Sequence, residues 1–543
     1  MAEVNIPGIV GIVVFYLLIL AVGIWASRRR KAGEEEVMLA GRSIGTYVGI
    51  FTLTATWVGG GFINGTAEVV YSEGLAFAQA PWGYSFSLVL GGLAFAKIMR
   101  QREYFTMLDP FQEKYGPRMG GLLFIPALLG EIFWSAAILA ALGATVSVVV
   151  NLDRVTSIIV SACISVFYTL IGGFYSVVYT DIIQLLSIFV GLWISVPFAM
   201  TNPAVSSISV DSKEWVGELS VEQLGPWMDY ALLLMFGGMP WQIYFQRALA
   251  CKTPRKAQIV SFVASLCCLV MPIPAVLIGA VGVKTDWTKT SFYTPPEGNV
   301  TNQTAAVTFD KAMILPMVLQ YLTPTPVSFV GLGAVAAAVM SSTDSSFVSA
   351  SSMFSHNVYK LIFRQNASDR EILWVIRIAI FGVAVLATSL SLVVKSIYSL
   401  FALCSDLVYV ILFPQLCCVI YLPSANTYGS FMGYILGLIL RVGGGEKNIG
   451  LKPFIKYPYY NETDGQLFPF RTLAMIVSLT TIVVVSYLLK YLFEKEMIPL
   501  KYDFLHCFKK YELEKSAAGE NNMTDFPMVK KELSEKEWSE KAL

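Results

Sequence analysis

The sequence predicts an all-α polytopic membrane protein of thirteen transmembrane helices, built on a 5+5 inverted-repeat core whose two opening helices are broken. Three observations lead there. The 543 residues are 55% hydrophobic and only 14% charged, with a mean hydropathy of +0.61. Apolar runs of spanning length recur along the chain, and glycine-rich interruptions fall at matching places in its two halves. A soluble chain of this size would need far more polar surface, so the apolar excess must face lipid.

The expected spans are roughly 7–27, 44–70, 76–97, 120–150, 155–173, 177–200, 227–248, 257–283, 326–359, 371–394, 398–421, 427–440 and 470–493. The first run has no basic leader and reads as a span rather than a cleaved signal. Arg28, Arg29, Arg30 and Lys31 follow it, so the N-terminus is expected outside the cell and the C-terminus inside. Later loops agree. Lys97, Arg100, Arg102, Lys114 and Arg118 fall on the predicted inner side, with Lys252, Arg255 and Lys256, and Lys360, Arg364 and Arg370. The predicted outer loop 201–226 is acidic, and the outer loop 284–325 carries glycosylation sequons at Asn299 and Asn302. Asn461 also falls outside, whereas the sequon at Asn366 falls inside and should be silent.

These spans divide the chain into a leading helix with a basic loop (1–43), a first five-helix repeat (44–200), an outer loop (201–226) and a second repeat (227–421). Two peripheral helices with an outer loop (422–493) and a charged cytoplasmic tail (494–543) complete it. Five spans is an odd number, so the second repeat enters the membrane opposite to the first.

Each repeat opens on a helix expected to break in mid-membrane. The first carries Thr56-Trp57-Val58-Gly59-Gly60-Gly61, the second Gly237-Gly238-Met239-Pro240-Trp241. Glycine runs, and glycine followed by proline, destabilise helix locally. One such cluster reads as close helix packing. Two at corresponding positions point to a transporter's binding site. Both breaks carry a tryptophan, Trp57 and Trp241, and Tyr84 and Trp134 lie well inside neighbouring spans. Gathered around a small cavity, these rings would suit a quaternary ammonium, which is attracted to ring faces and cannot donate a strong hydrogen bond.

The span 326–359 contains Ser341-Ser342-Thr343-Asp344-Ser345-Ser346, then Ser349, Ser351 and Ser352. So dense a polar run must face a bundle interior or water. Its hydroxyls and carbonyls suit a small hard cation such as sodium, and serines bonding within or between helices explain only some of them. Asp181 is a second intramembrane acid and a functional candidate by default. Glu131 lies one turn from Trp134 and could shape the cavity or be structural, Asp406 is a similar acid in the span 398–421, and Asp344 could bind an ion or lock its helix against a neighbour.

Several strings carry a resemblance. Thr54-Ala55-Thr56-Trp57-Val58-Gly59-Gly60-Gly61, Ile63-Asn64-Gly65-Thr66-Ala67-Glu68, Met107-Leu108-Asp109-Pro110-Phe111-Gln112, Gly121-Leu122-Leu123-Phe124-Ile125-Pro126-Ala127-Leu128, Pro240-Trp241-Gln242 and Met340-Ser341-Ser342 are such strings. They resemble the sodium/solute symporter family, and within it the choline-carrying branch, over about residues 7–493. The resemblance implies a main sodium site at Ala55, Val58, Ala338, Ser341 and Ser342. It implies a second sodium site at Asp181, Ser345 and Ser346, and a choline cage of Trp57, Tyr84, Trp134 and Trp241. It also implies chloride dependence, a plasma-membrane location and a presynaptic role supplying choline for acetylcholine synthesis. The tail departs from that branch: Asn522-Met523-Thr524-Asp525-Phe526-Pro527-Met528-Val529 has no leucine pair for an acidic dileucine internalisation signal.

Other classes fit poorly. A net charge of +1 gives no bias toward nucleic acid. Only two histidines are present, no nucleophile–histidine pair or metal-ligand cluster stands out, and an enzyme is not expected. A channel would need a continuous polar pore with repeated filter segments. Another sodium-coupled organic solute stays open as the substrate, although a sugar would require many hydrogen-bond partners. Membrane lipid is the expected surround.

Overall fold

The computed structural model describes residues 6–28, 34–293, 309–505 and 507–508. The sequons at Asn299 and Asn302, the basic residues Arg29, Arg30 and Lys31, and the tail segment 522–529 lie outside the described residues. The described chain is nearly all helical, and its extended segments pair only as isolated bridges such as Ile44 with Cys251. In chain order the helices that matter here are α1 (Ile6–Ser27), α2 (Thr46–Trp57), α3 (Gly60–Ser72), α4 (Ala80–Gly91), α5 (Asp109–Tyr115), α6 (Pro117–Val150) and α7 (Arg154–Met200). They continue as α8 (Leu224–Gly237), α9 (Gln242–Ala250), α10 (Pro254–Val270), α11 (Ile273–Val283), α12 (Thr325–Met353), α13 (Asp369–Val393), α14 (Ile397–Cys404), α15 (Phe413–Tyr421), α16 (Thr427–Gly443) and α17 (Phe470–Glu494).

Among the described residues, nine helical spans are long and apolar enough to cross a membrane, ten when the bent pair α2 and α3 counts as one more. Their burial sorts them. A span-length window of α6 is 89% buried, while the windows of α1 and α17 are each 28% buried. So α6 is core, and α1 and α17 are peripheral. Large apolar side chains on α13, among them Trp374, Ile378 and Phe381, are exposed, as lipid contact requires.

The expected spans 155–173 and 177–200 both lie inside α7, which is a single 47-residue helix. Straight, it would be about 70 Å long, twice the thickness of a bilayer core. Yet Arg154 at its start pairs with Asp310 at 2.8 Å, and Asn202 just past its end donates to the Leu322 carbonyl at 3.1 Å. Twelve residues of chain cannot bridge 70 Å. The helix therefore doubles back between these anchors, and the two expected crossings are its arms.

The bundle has two distinct ends. One gathers residues 202–223, 284–293 and 310–323: Lys284 pairs with Glu214 at 2.5 Å, and Asp286 N–H donates to Ala204 O at 2.9 Å. The other gathers the basic connections. Arg42 donates to Glu103 O at 2.7 Å, Arg100 to Cys251 O at 2.8 Å, and Thr106 to Asn357 at 2.7 Å. This is the grouping of loops that the positive residues predicted.

Candidate functional site

Helix α2 stops at Trp57, and α3 starts at Gly60 on an axis turned by 46°. Val58 (φ −85°, ψ 53°) and Gly59 (φ −92°, ψ −176°) are unwound between them. Crowding dictates glycine here. A Cβ on Gly59 would lie 1.6 Å from Ser342 Oγ, and one on Gly60 would lie 1.9 Å from a Val339 methyl. The break thus presses its bare backbone against the polar helix α12. The second break runs from Gly238 to Trp241, between α8 and α9. Trp241 there is extended (φ −122°, ψ 132°).

The four predicted rings converge. Trp57 lies 4.6 Å from Tyr84, 5.2 Å from Trp241 and 6.1 Å from Trp134, measured between ring centroids. Trp241 lies 4.9 Å from Trp134 and 6.2 Å from Tyr84. All four are buried, and the indole N–H groups of Trp57, Trp134 and Trp241 have no hydrogen-bond partner among the described residues. Only the tyrosine hydroxyl is anchored, at 2.6 Å from Ser405 Oγ. A fifth ring completes the group: Phe401 on α14 lies 4.8 Å from Trp134 and 5.1 Å from Tyr84. Sequence reasoning missed it, because a phenylalanine in an apolar helix carries no distinguishing signal. Next to Phe401, Ala402 lines a cavity of about 670 Å³ with Trp227, Tyr230, Tyr398, Glu446 and Arg471. This vestibule adjoins the end that holds residues 202–223.

Oxygen-bearing groups gather on the other side of the first break. Ala55, Val58, Ala338 and Ser341 line one small crevice with Gln184, Leu185 and Ile188. Ser342 adjoins it, donating to Ala338 O at 3.3 Å. The last carbonyls of a helix have no partner within it, so Ala55 in the last turn of α2 and the unwound Val58 bring backbone oxygens without intrahelical partners to the residues around the crevice. Gln184 is a second residue that sequence reasoning missed. It is buried, and neither its amide oxygen nor its nitrogen has a partner among the described residues. Its place one turn past Asp181 was the available signal.

The second predicted set divides. Asp181 accepts hydrogen bonds from Thr52 and Ser341, and Arg247 lies against both Asp181 and Ser345. Ser346 turns elsewhere, to Ser135 at 2.7 Å and the Glu131 carboxylate at 3.0 Å. Ser349 donates to Glu131 at 2.9 Å, so Glu131 ties α6 to α12. Asp344 accepts from Thr169 on α7 at 2.5 Å. Asp406 belongs to a separate network with Arg441 and Arg471.

Unwound backbone at membrane depth is tolerated only inside protein or around a cavity. A pair of such breaks, one in each half of the chain, is how many secondary transporters hold solute and ion near mid-membrane. The molecule is of that class, a multi-pass membrane transporter. More particularly, it belongs to the sodium:solute symporter family, whose model matches residues 37–437. The chain is 57% identical over 510 residues to high-affinity choline transporter 1 of Drosophila melanogaster, covering 93% of this chain and 82% of the relative. It is 55% identical to the high affinity choline transporter 1 of Homo sapiens, covering 92% and 88%. Its fold is similar to that of a Na+-coupled sialic acid symporter solved in a substrate-bound outward-open state, with a TM-score of 0.72 at 16% identity, covering 90% and 98%.

Proposed function

We propose that the protein carries choline into cells in symport with sodium, by alternating access. The observation that carries this reading is the convergence of four tryptophan and tyrosine rings, with Phe401, where the two broken helices meet. The names of its relatives support the same substrate. A trimethylammonium needs desolvated ring faces and no carboxylate in contact, and each ring contributes about 0.5–2 kcal/mol. The rings now touch one another, so choline enters only as they separate. Trp57 and Trp241 ride on the breaks, and a change of bend moves both walls.

Sodium binds in this reading at Ala55, Val58, Ala338, Ser341 and Ser342, and links the first break to α12. Movement of one sodium down a 100 mV potential supplies about 2.3 kcal/mol, before its concentration gradient. The substrate's own charge adds to the inward drive. Thirteen spans with the N-terminus outside put the vestibule on the extracellular side, place residues 44–200 and 227–421 as inverted repeats, and expose Asn299 and Asn302 to glycosylation. Chloride dependence and a presynaptic location belong to the same reading and rest on the family resemblance. Uptake of radiolabelled choline by cells expressing the chain, with sodium or potassium outside, tests it. Saturable uptake only with sodium is expected. A correctly inserted protein that takes up no choline overturns the substrate, and equal uptake in potassium overturns the coupling.

A further inference from the structure

One buried cation is not held as a structural ion pair would hold it. Arg247 lies on α9, the half-helix hung from the second break, and its side chain and that of Asp181 are fully buried. Its Nη2 donates to Ser345 Oγ at 2.6 Å but stands 3.4 Å from the Asp181 carboxylate. Its Nη1 reaches the Ile243 carbonyl of its own helix at 3.4 Å, and its Nε has no partner among the described residues. The Phe174 ring lies 5.4 Å beneath the guanidinium. Arginine built to hold a carboxylate does so through two parallel bonds of about 2.7–2.9 Å. Here one charge-assisted contact is long and a donor is unmet.

The groups around the guanidinium are those of a small hard cation instead. The Asp181 carboxylate and the Ser345 hydroxyl are oxygen ligands from two helices, α7 and α12. Ser341 donates to that same carboxylate and also lines the crevice at the first break. A sodium ion and the guanidinium, each carrying one positive charge, cannot both occupy so small a buried space.

We propose that Arg247 is a tethered cation that occupies the Asp181–Ser345 pair in exchange with a sodium ion, the two being mutually exclusive. Sodium arriving at the pair releases α9 from α7 and α12; its departure lets the guanidinium return. The inference deepens the sodium-coupled reading and rests on it.

The test is sodium-dependent thermal stabilisation of the purified full chain, with potassium keeping ionic strength constant. A wild-type protein that sodium does not stabilise fails the sodium reading itself, before Arg247 is touched. Given a wild-type response, Arg247→Gln is expected to lower the half-stabilising sodium concentration by about tenfold. Adding Asp181→Asn should abolish that gain. A folded Arg247→Gln protein with unchanged or weakened sodium response overturns the proposal, and so does a gain that survives Asp181→Asn. Should Arg247→Gln not fold, Arg247→Lys decides. Its single point charge competes less well than the guanidinium, so a lowered sodium midpoint supports the exchange and an unchanged one overturns it.

Discussion

Two buried arginine–aspartate pairs in this molecule are built in opposite ways. Arg441 on α16 grips Asp406 through Nε at 2.6 and 2.7 Å and through Nη2, and donates to Glu446 at 2.9 Å and to Gly445 O at 3.0 Å. Arg471 on α17 joins the same acids, 2.8 Å from Glu446 and 3.4 Å from Asp406, with its guanidinium 4.7 Å from the Tyr230 ring. Asp229 on α8 then caps the start of α17, accepting from Thr472 N–H at 2.7 Å and Thr472 Oγ1 at 2.6 Å. Arg247 makes one short bond and leaves Nε unmet. The difference separates scaffold from machine. The locked network ties α16 and α17 to Asp406 and to Asp229 of α8, and forms one wall of the vestibule. The loose pair sits where the second broken helix meets α7 and α12.

Breaking the locked network should have the largest effect. Asp406→Asn removes the carboxylate that the two buried guanidinium groups share, and breaking such a buried pair costs about 3–5 kcal/mol. The expected result is protein that fails to reach the cell surface, read by surface labelling. Gly59→Ala comes next. Its methyl would clash with Ser342 at the close approach of break to polar helix, costing about 1–3 kcal/mol. Surface protein should persist while sodium-dependent choline uptake falls below a tenth of wild type. Asp181→Asn sharpens the contrast with Asp406. Asp181 is the carboxylate paired with the buried Arg247, so a neutral amide should lower surface expression severalfold and, in the protein that reaches the surface, raise the sodium concentration for half-maximal uptake by about tenfold. Phe401→Ala is the smallest of the four. Loss of one ring from the chamber should raise the choline concentration for half-maximal uptake by about three- to tenfold, with the sodium dependence unchanged.

Much of this architecture was legible because its causes are local. Three glycines in a row, or two before a proline, break a helix wherever they stand, and both breaks fall where the sequence puts them. The serine run of α12 has to be buried, and it is. Basic residues sorted the connections into two groups, which gather at opposite ends. The convergence of Trp57, Tyr84, Trp134 and Trp241 was a matter of tertiary packing, inferred from two breaks rather than read from spacing. Phe401 and Gln184 escaped notice because an apolar ring in an apolar helix, or one amide beside an acid, is common. Arg247 escaped for another reason. It stands at the end of the expected span 227–248, where a basic residue reads as a membrane flank, and only the fold reveals it as fully buried. The division of Asp181 and Ser345 from Ser346 follows from successive positions of α12 facing different neighbours, Arg247 and Asp181 on one side and Glu131 on the other.

The central claim is that the ring cluster binds choline and that sodium promotes it. Choline binding to the purified chain, followed through tryptophan fluorescence in sodium and in potassium, tests it most directly beside Trp57→Phe and Trp57→Ala. The account predicts saturable binding that is tighter in sodium, weakened slightly by Trp57→Phe and by about tenfold or more by Trp57→Ala. Choline binding that is equally tight in the folded Trp57→Ala protein, or indifferent to sodium, would contradict it.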